Sequence, residues 1–177
     1  LGEREVALDI LINNAGAAWG AEFDDFPEAG WDKVMDLNVK SLFFLSQKLA
    51  PMLRNAATAD QPAKIINIAS IDGIYVTDNE TYSYVASKAA VIHLTRRMAK
   101  RLIQDNINVN AIAPGAFQSD MNIWARDSPD MVAGMVPNGR IGRPEDMAGT
   151  AVFLASRAGD YLVGTTITVD GGIAYAK

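Results

Sequence analysis

Apolar residues occur along the chain in two kinds of segment, which alternate. Short runs of apolar and β-branched residues predict four buried strands, at 8–16, 64–70, 107–115 and 165–172. Longer segments with apolar positions at helical spacing predict three helices, at 31–56, about 81–104 and 144–156. The segment 117–143 is rich in Met, Gly and Pro and predicts irregular structure.

The alternation of strands and helices predicts an α/β fold with a parallel sheet and helices on both faces. Right-handed connections are expected between the strands. Ligands of such sheets bind at the carboxyl ends of the strands. Each predicted strand ends in small or polar residues, which are therefore expected at one edge of the sheet: Asn13 to Gly16, Ser70, Pro114 with Gly115, and Asp170 to Gly172.

Composition narrows the possible function classes. The 177 residues carry a net charge of −5, and no basic surface for a nucleic-acid partner is expected. The absence of cysteine excludes disulfides, thiolate catalysis and cysteine metal sites, and the single histidine, His93, excludes a histidine metal cluster. No apolar run approaches the roughly 20 residues of a membrane span. No membrane partner is expected, and a cytoplasmic location is predicted.

Tyr84 and Lys88 are the first candidate catalytic pair. They are four residues apart in a predicted helix and so share one face. A free tyrosine has a pKa near ~10, and a neighbouring ammonium is expected to lower it toward neutral pH. The same spacing also arises by chance on helix surfaces. Tyr82 is set aside because Ala86 stands four residues on, and a packing or surface role is expected for His93.

Two further polar residues add to this pair. Ser70 ends a strand just before the loop that leads to Tyr84, and its hydroxyl could donate a hydrogen bond to a substrate oxygen. The alternative is a serine that is satisfied by the backbone of a turn. Asn38 interrupts an apolar helical segment, where asparagine is a poor helix former. It is expected either to bond to backbone at a local kink or to hold a water.

In their order along the chain, these motifs resemble those of the short-chain dehydrogenase/reductase family: Asn13-Asn14-Ala15-Gly16, Asn38, Ser70, Tyr84-x-x-x-Lys88, Pro114-Gly115 and Asp170-Gly171-Gly172. The resemblance extends over about residues 9–172. Within the family the chain is most similar to the bacterial 3-oxoacyl reductase and gluconate dehydrogenase group. The segments 31–39, 107–115 and 139–149 resemble in particular the rhamnolipid-pathway type of ketoacyl reductase.

The resemblance implies a single, partial Rossmann-like domain over 1–177, with a doubly wound parallel sheet truncated to about four strands. It also implies an oxidoreductase that transfers hydride between a nicotinamide cofactor and a carbonyl compound or secondary alcohol, as a 3-oxoacyl-type ketoreductase. The expected cofactor is NADP(H) rather than NAD(H). The expected partners are a small-molecule substrate and further copies of the chain, in a homodimer or homotetramer.

The residue roles follow from the same resemblance. Tyr84 would donate or accept the proton, and Lys88 would lower its pKa and bind the nicotinamide ribose. Ser70 would orient the substrate oxygen, and Asn38 would hold a water of a proton relay. The implied cofactor-binding residues are Asn14, Ala15, Gly16, Tyr84, Lys88, Pro114, Gly115, Phe117 and Ser119.

A group of apolar residues in 121–139 could either line a lid over a partly apolar substrate or pack under the loop: Met121, Ile123, Trp124, Met131, Met135 and Val136. The family's glycine-rich turn, Thr-Gly-x-x-x-Gly-x-Gly, is not found in this sequence. The first three strands of the family fold are therefore expected to be missing and cofactor binding to be incomplete. The strand at 8–16 is then expected to be an unpaired apolar edge.

Two interpretations remain open. The chain begins at Leu1 and keeps all four candidate catalytic residues, which favours an incomplete record of a longer enzyme. The alternative is a non-catalytic truncated remnant that acts as a dimerisation or association module through the helices at 31–56 and 81–105. An extended-type sugar epimerase with the same Tyr-Lys pair is disfavoured, because no C-terminal substrate domain is present.

Overall fold

Four parallel strands form one sheet in the order in which they occur along the chain. The computed structural model describes residues 5–176. Its strands are β1 (Ile10–Asn13), β2 (Ala63–Ile68), β3 (Ile107–Pro114) and β4 (Thr166–Val169). Each strand pairs in parallel with the next one. The predicted α/β fold with a four-stranded parallel sheet is confirmed, with strands somewhat shorter than the apolar runs.

Helices lie between the strands where the apolar spacing predicts them. They are α1 (Glu28–Met35), α2 (Ser41–Ala56), α3 (Tyr82–Leu102), α4 (Ile123–Asp127), α5 (Pro129–Ala133) and α6 (Pro144–Ala155). The prediction of irregular structure was wrong for α4 and α5. Asn122 caps α4 by accepting a hydrogen bond from the Ala125 N–H, and a proline opens α5. None of the helices within 5–176 has the length and apolar character to cross a bilayer.

The segment 31–56, predicted as one helix, is interrupted by a π-helical turn. The turn spans Asp36–Lys40, between α1 and α2, and contains the buried Asn38. π-helical turns are rare and occur mostly as single turns within α-helices. The local irregularity expected at Asn38 is therefore confirmed.

The two faces of the sheet carry separate apolar clusters. Ile65 of β2 packs on one face in a cluster with Leu53 of α2 and Val91 of α3. Its neighbour Ile66 packs on the other face in a cluster with Leu154 of α6. Successive strand residues point to opposite faces, so α2 and α3 cover one face and α6 covers the other. The expected helices on both faces are confirmed.

The connection from β3 to β4 differs in hand from the two before it. All three connections cross the sheet in the same direction, so they would share one hand only if their helices lay on one face. α6 lies on the face opposite to α2 and α3. The expectation of right-handed connections throughout was therefore wrong. This connection is not a compact βαβ unit, because the segment 115–143, with α4 and α5, precedes α6.

β1 forms one edge of the sheet. Among the described residues it pairs with β2 alone. Its side chains alternate: Leu11 and Asn13 are buried, whereas Ile10 and Ile12 are 40% and 45% exposed. The expected apolar edge strand is thus present, and such an edge favours pairing with further chain.

Buried polar side chains connect β1, β2, α2 and α3. The Asn13 amide donates to Asn67 Oδ1 (2.8 Å) and to Ser46 Oγ (3.0 Å). The Asn67 amide in turn donates to Thr95 Oγ1 (2.9 Å). Asn67 and Thr95 are fully buried. Because an unpaired buried polar group is costly, this network fixes the two strands relative to the two helices.

Asn67→Ala is expected to lower the free energy of unfolding by about 2–4 kcal/mol, because it removes two buried hydrogen bonds and leaves a cavity. Asn55→Ala is a matched control, since the Asn55 amide makes one exposed bond, to the Val6 backbone oxygen. Its effect is expected to stay within about 0.5 kcal/mol. Urea denaturation followed by circular dichroism measures both values. Equal losses in the two variants would contradict the proposed contribution of the buried network to stability.

Candidate active site

The carboxyl ends of three neighbouring strands bring predicted site residues to one edge of the sheet. Asn14 to Gly16 follow β1, and Ser70 follows β2. Pro114 is the last residue of β3, and Gly115 comes directly after it. Because these strands are parallel and adjacent, the three segments lie side by side. The predicted convergence at one edge is confirmed.

Tyr84 and Lys88 lie one turn apart near the start of α3. Lys88 Nζ is 5.5 Å from the centroid of the Tyr84 ring. It donates a hydrogen bond of 2.9 Å to the backbone oxygen of Ile68, the last residue of β2. Lys88 is 5% exposed and Tyr84 is half-buried. The bond to Ile68 ties α3 to the strand end and holds both side chains at the same edge as Ser70.

Burial is the main influence on the Lys88 ammonium. It lowers the pKa of Lys88 from 10.5 to about 8, although the carboxylate of Asp72 acts in the opposite direction. An amine with this pKa is still mostly protonated at neutral pH. A positive charge therefore remains beside the phenol.

The pKa of Tyr84 is raised above its usual value. Burial of the phenol is the largest cause, a hydrogen bond with Ser70 opposes it, and the carboxylate of Asp72 adds to the rise. The lowering of this pKa that is expected from Lys88 stays a prediction, because the net rise reflects burial first and Lys88 is not among its causes. Tyr84 is therefore protonated at neutral pH.

Ser70 opens a 3₁₀ turn over Ile71–Gly73. Its Oγ accepts a hydrogen bond of 3.1 Å from the Asp72 backbone N–H and lies 3.4 Å from Asp72 Oδ2. The Ser70 side chain also acts on the phenol of Tyr84 and opposes the rise of its pKa. The expected contact with turn backbone is thus present.

Gly73 lets this turn approach α3 closely. A Cβ at position 73 would lie 2.6 Å from the backbone carbonyl carbon of Lys88 and 2.8 Å from the Ala89 nitrogen. Neither backbone atom can move without displacing the helix. Glycine at this position therefore sets the distance between Ser70 and the α3 side chains.

The buried side chain of Asn38 joins the π-helical turn to the loop after β1 and to α3. Its Oδ1 accepts from the Ala17 N–H (2.8 Å), and its Nδ2 donates to the Ala17 oxygen (2.9 Å) and to Ser87 Oγ (2.9 Å). Ser87 in turn donates to the Tyr84 backbone oxygen (2.7 Å). Bonding to backbone, one of the two expectations, is confirmed. Both amide hydrogens of Asn38 have protein partners, so a relay water held by this residue would have to donate to one of its oxygens.

The segments that the resemblance assigns to the cofactor border this cluster. Asn14 and Ala15 are exposed. A Cβ at position 16 would lie 3.4 Å from Asn38 Oδ1 and 3.6 Å from Lys88 Nζ, so the Gly16 backbone packs beside both side chains. The hydroxyl groups of a ribose can accept a hydrogen bond from an ammonium such as that of Lys88.

Phe117 and Ser119 lie in the loop after β3. The Phe117 ring packs on Gly142, where a Cβ would come within 2.3 Å of the ring. It also lines a cavity of about 340 Å³ beside the end of β4. Ser119 is exposed, and its Oγ accepts a hydrogen bond from the Asn122 N–H (3.0 Å). Both side chains thus have local structural partners, and their cofactor roles stay predictions.

Two residues of the site were not identified from the sequence. Asp72 stands two positions after Ser70 and influences the pKa of both Tyr84 and Lys88. Ser87 directly precedes Lys88 and supports Asn38. Their only signal in the sequence is this proximity to predicted catalytic residues, which does not show where a side chain points.

Tyr82 and His93, for which no catalytic role is expected, have different surroundings from Tyr84 and Lys88. The Tyr82 ring packs edge-on against Phe23 and Phe26, with centroids 5.5 and 5.6 Å apart. His93 is exposed on α3 and lines a cavity of about 510 Å³ between this helix and the start of β4. The surface role expected for His93 is confirmed.

Five of the six apolar residues considered for a lid are exposed, by 46% to 69%: Met121, Ile123, Trp124, Met131 and Met135. Val136 is buried against Ile71 and Ile173. The packing alternative therefore applies to Val136. The other five give the segment 121–135 an apolar surface.

Comparisons with known proteins find relatives over nearly the whole chain. A family model described as enoyl-(acyl carrier protein) reductase matches residues 1–174. The rhamnolipids biosynthesis 3-oxoacyl-(acyl-carrier-protein) reductase of Pseudomonas aeruginosa is 47% identical over 175 residues, which are 97% of this chain and 68% of that protein. This chain belongs to the short-chain dehydrogenase/reductase family. Members of this family are NAD(P)-dependent oxidoreductases.

A second relative and a solved structure agree with membership of the short-chain dehydrogenase/reductase family. The 2-dehydro-3-deoxy-D-gluconate 5-dehydrogenase of Dickeya dadantii is 45% identical over 172 residues, 93% of this chain and 65% of that protein. The structure of a Pseudomonas aeruginosa RhlG/NADP active-site complex superposes with a TM-score of 0.93 at 46% identity, covering 98% of this chain and 69% of that one. The predicted Rossmann-like fold is confirmed. The chain spans about two thirds of the length of these relatives.

Gly73→Ala is expected to lower the free energy of unfolding by several kcal/mol, because the added methyl group overlaps the backbone of α3. Gly149→Ala is the matched control: Gly149 lies in α6 with no atom near an added Cβ, and the change is expected to stabilise by about 0.5–1 kcal/mol. Chemical denaturation measures the change in the free energy of unfolding for both variants. Stabilisation by both substitutions would show that the turn does not pack on α3 as described.

Lys88 is expected to make stability rise with pH between about 8 and about 10.5. Its pKa is about 8 in the folded chain and near 10.5 when unfolded, so the unfolded state binds more protons in this range. Lys88→Met removes this dependence. Across this range the free energy of unfolding of the wild type is expected to rise by up to about 3 kcal/mol relative to that of the variant. Urea denaturation at several pH values measures the difference. A difference that does not change with pH would contradict the burial of the ammonium.

Proposed function

We propose that the chain carries the proton-transferring part of an NAD(P)-dependent oxidoreductase that interconverts a carbonyl compound and a secondary alcohol. The observation that carries this proposal is the cluster of Ser70, Tyr84 and Lys88 at the carboxyl end of β2. Carbonyl reduction needs a proton donor, a hydrogen bond that orients the oxygen, and a cation that stabilises the anion left behind. The phenol, the hydroxyl and the ammonium of this cluster match those needs.

Tyr84 is the proton donor to the substrate oxygen in reduction and the acceptor in the reverse reaction. In reduction its hydroxyl hydrogen passes to the substrate oxygen and leaves a phenolate, which the Lys88 ammonium stabilises from beside the ring. Ser70 orients the substrate oxygen through its hydroxyl. When bound, the nicotinamide cofactor supplies the hydride that reduces the carbonyl carbon.

With its raised pKa, Tyr84 is protonated at neutral pH, which is the form that carbonyl reduction uses. At neutral pH the phenol holds its proton and is ready to donate it. In the oxidative direction the phenol must first lose that proton, against the cost of burial and the charge of Asp72. Additional positive charge near the ring would be needed to offset this cost.

The open segments around Lys88 are the proposed cofactor site. Asn14, Ala15 and Gly16 would contact the adenosine ribose side, Lys88 the nicotinamide ribose, and the loop Pro114–Ser119 the nicotinamide. Asn38 supports this site by fixing the loop that follows Gly16. NADP(H) is proposed rather than NAD(H), since the solved relative is a complex with NADP. Binding is expected to be weak, because the sequence lacks the glycine-rich turn that binds phosphate.

A 3-oxoacyl compound is the proposed substrate. The exposed apolar side chains of the segment 121–135 fit an aliphatic acyl group better than the hydroxyl groups of a sugar acid. A relative named for a 3-oxoacyl substrate is 47% identical to the chain, and one named for a sugar acid is 45% identical. The name alone therefore does not separate the two substrate classes, and the apolar segment is what favours the acyl compound.

A non-catalytic association module is the second candidate function. Phe43, Phe44 and Leu45 of α2 are 36%, 54% and 48% exposed and form an apolar patch that a second copy could cover. The same patch fits a homodimer or homotetramer of the enzyme, in the cytoplasm as the composition predicts. Cofactor binding and turnover separate the two functions.

NADPH binding and reduction of a short 3-oxoacyl thioester by the 177-residue chain test the proposal. Tyr84→Phe is expected to keep most NADPH affinity and to lower turnover at least ~100-fold, because it removes the donated proton. Tyr82→Phe is the matched control, since Tyr82 packs with Phe23 and Phe26; its activity is expected within about twofold of wild type.

Calorimetry measures the binding, and the loss of NADPH absorbance measures the turnover. Equal turnover of the wild type and Tyr84→Phe would refute the role of Tyr84. A folded, dimeric chain that binds no NADPH would show that these residues do not hold the cofactor without the glycine-rich turn, and the chemistry would then belong to a longer parent chain. Reduction of a 2-keto-3-deoxy sugar acid in preference to the thioester would overturn the proposed substrate.

A further inference from the structure

The cavity of about 510 Å³ beside α3 lies apart from the candidate catalytic side chains. It is bounded by α3, by the turn after β2 and by the start of β4, and none of Ser70, Tyr84 and Lys88 lines it. Small-molecule sites in proteins have volumes of roughly 300–1,000 Å³. The cavity is therefore large enough for a ligand of its own.

Gly164 holds the start of β4 close to α3 at this cavity. Its φ of +73° lies in the left-handed region that favours glycine. A Cβ at this position would lie 3.4 Å from Ala99 Cβ and 3.9 Å from the Arg96 Cα. The Gly164 N–H donates to the backbone oxygen of Val109 (2.8 Å), which fixes the same loop to β3. The wall that carries Arg96 and the wall that β4 forms are thus held in place by backbone contacts.

The cavity presents basic side chains and no acidic ones. Arg96 and His93 lie one turn apart on α3, are exposed and line the cavity. Within residues 5–176 neither side chain makes a hydrogen bond or an ion pair. Among the described residues that line the cavity there is no Asp or Glu. Because the planar fork of a guanidinium matches carboxylate and phosphate oxygens, this wall favours an anion.

The Thr166 hydroxyl is a buried polar group without a partner. Ile167 and Val169 of β4 pack toward α6, so Thr166 faces α3 and this cavity. Its Oγ1 has no hydrogen-bond partner within the described part of the chain. Such groups are uncommon in proteins, because burial removes their hydration. Rotation about the Cα–Cβ bond can turn the hydroxyl toward a ligand, which would then supply the missing partner.

We propose that this cavity binds a small organic anion. Its carboxylate or phosphate oxygens accept hydrogen bonds from the Arg96 guanidinium and the Thr166 hydroxyl. Its carbon chain packs on Ile74 and Ile92, which are apolar residues of the lining. This binding does not depend on the function proposed above.

The cavity borders the junction between the turn and the catalytic helix. Gly73 and Ala89, whose backbones pack together at that junction, both line it. An anion in the cavity therefore lies against the contact that sets the distance between Ser70 and Lys88.

NMR of the 177-residue chain tests the proposal without cofactor or turnover, so an inactive chain leaves the result readable. His93 is the sole histidine, and its imidazole signal needs no further assignment. Hexanoate and hexyl phosphate are the two anionic probes, which differ only in the charged group. 1-Hexanol controls for the carbon chain, and sodium chloride at equal ionic strength controls for charge screening.

The expected result is a saturable shift of the His93 signal with an anionic probe and none with either control. The probe of higher affinity identifies the ligand as a carboxylate or a phosphate. No saturable shift with either anion would overturn the proposal.

Arg96→Gln is expected to weaken binding at least about tenfold, because it removes hydrogen bonds from a charged donor. Arg97→Gln is the matched control, since it makes the same change in net charge at an exposed neighbour that does not line the cavity. Equal affinities of the wild type and Arg96→Gln would overturn the proposal. Equal losses in the two arginine variants would also overturn it, because they would show general attraction to the helix surface.

Thr166→Val separates a role in binding from a role in folding. The variant is expected to bind the anion about fivefold more weakly, because one hydrogen bond is lost. Its free energy of unfolding without ligand is expected to stay unchanged, because the hydroxyl has no partner to lose. Unchanged affinity in this variant would overturn the proposed site.

Discussion

The close approach of one turn to one helix underlies the rest of the site. β2 ends at Ile68, Ser70 opens the following 3₁₀ turn, and Gly73 lets that turn pack directly on the backbone of α3 at Lys88. Lys88 then reaches back to the Ile68 oxygen. A strand end, a turn and a helix are thus joined at a single point, and a side chain at position 73 would separate them. The relative positions of the hydroxyl, the phenol and the ammonium depend on this contact.

Burial at this junction determines the electrostatics. It lowers the pKa of Lys88 to about 8 and raises the pKa of Tyr84, because both charged forms lose hydration. A lysine beside a tyrosine therefore does not by itself produce a phenolate. The protein keeps the phenol as an acid and places a partly desolvated cation beside it. That arrangement suits a donor whose conjugate base must be stabilised only after the proton has left.

The sequence predicted correctly those features that depend on residues close together in the chain. Periodicity located the four strands and the long helices, and a single asparagine within an apolar helical segment indicated the irregular turn at Asn38. The candidate catalytic residues Ser70, Tyr84 and Lys88 were named from their spacing and order, and the structure brings them to one edge of the sheet. The helices α4 and α5 were not predicted. Each is only five residues long, and an N-cap and a proline define them rather than apolar spacing.

By itself the sequence determined the α/β fold, the strand ends at which the site lies and the family to which the chain belongs. These properties follow from periodicity and from ordered motifs, both of which are local in the chain. Only the tertiary structure decided the direction of the Tyr84 pKa shift and the face on which α6 lies. The physical reason is that desolvation and charge coupling depend on which surfaces pack together, and packing between distant segments leaves no periodic signal in the sequence.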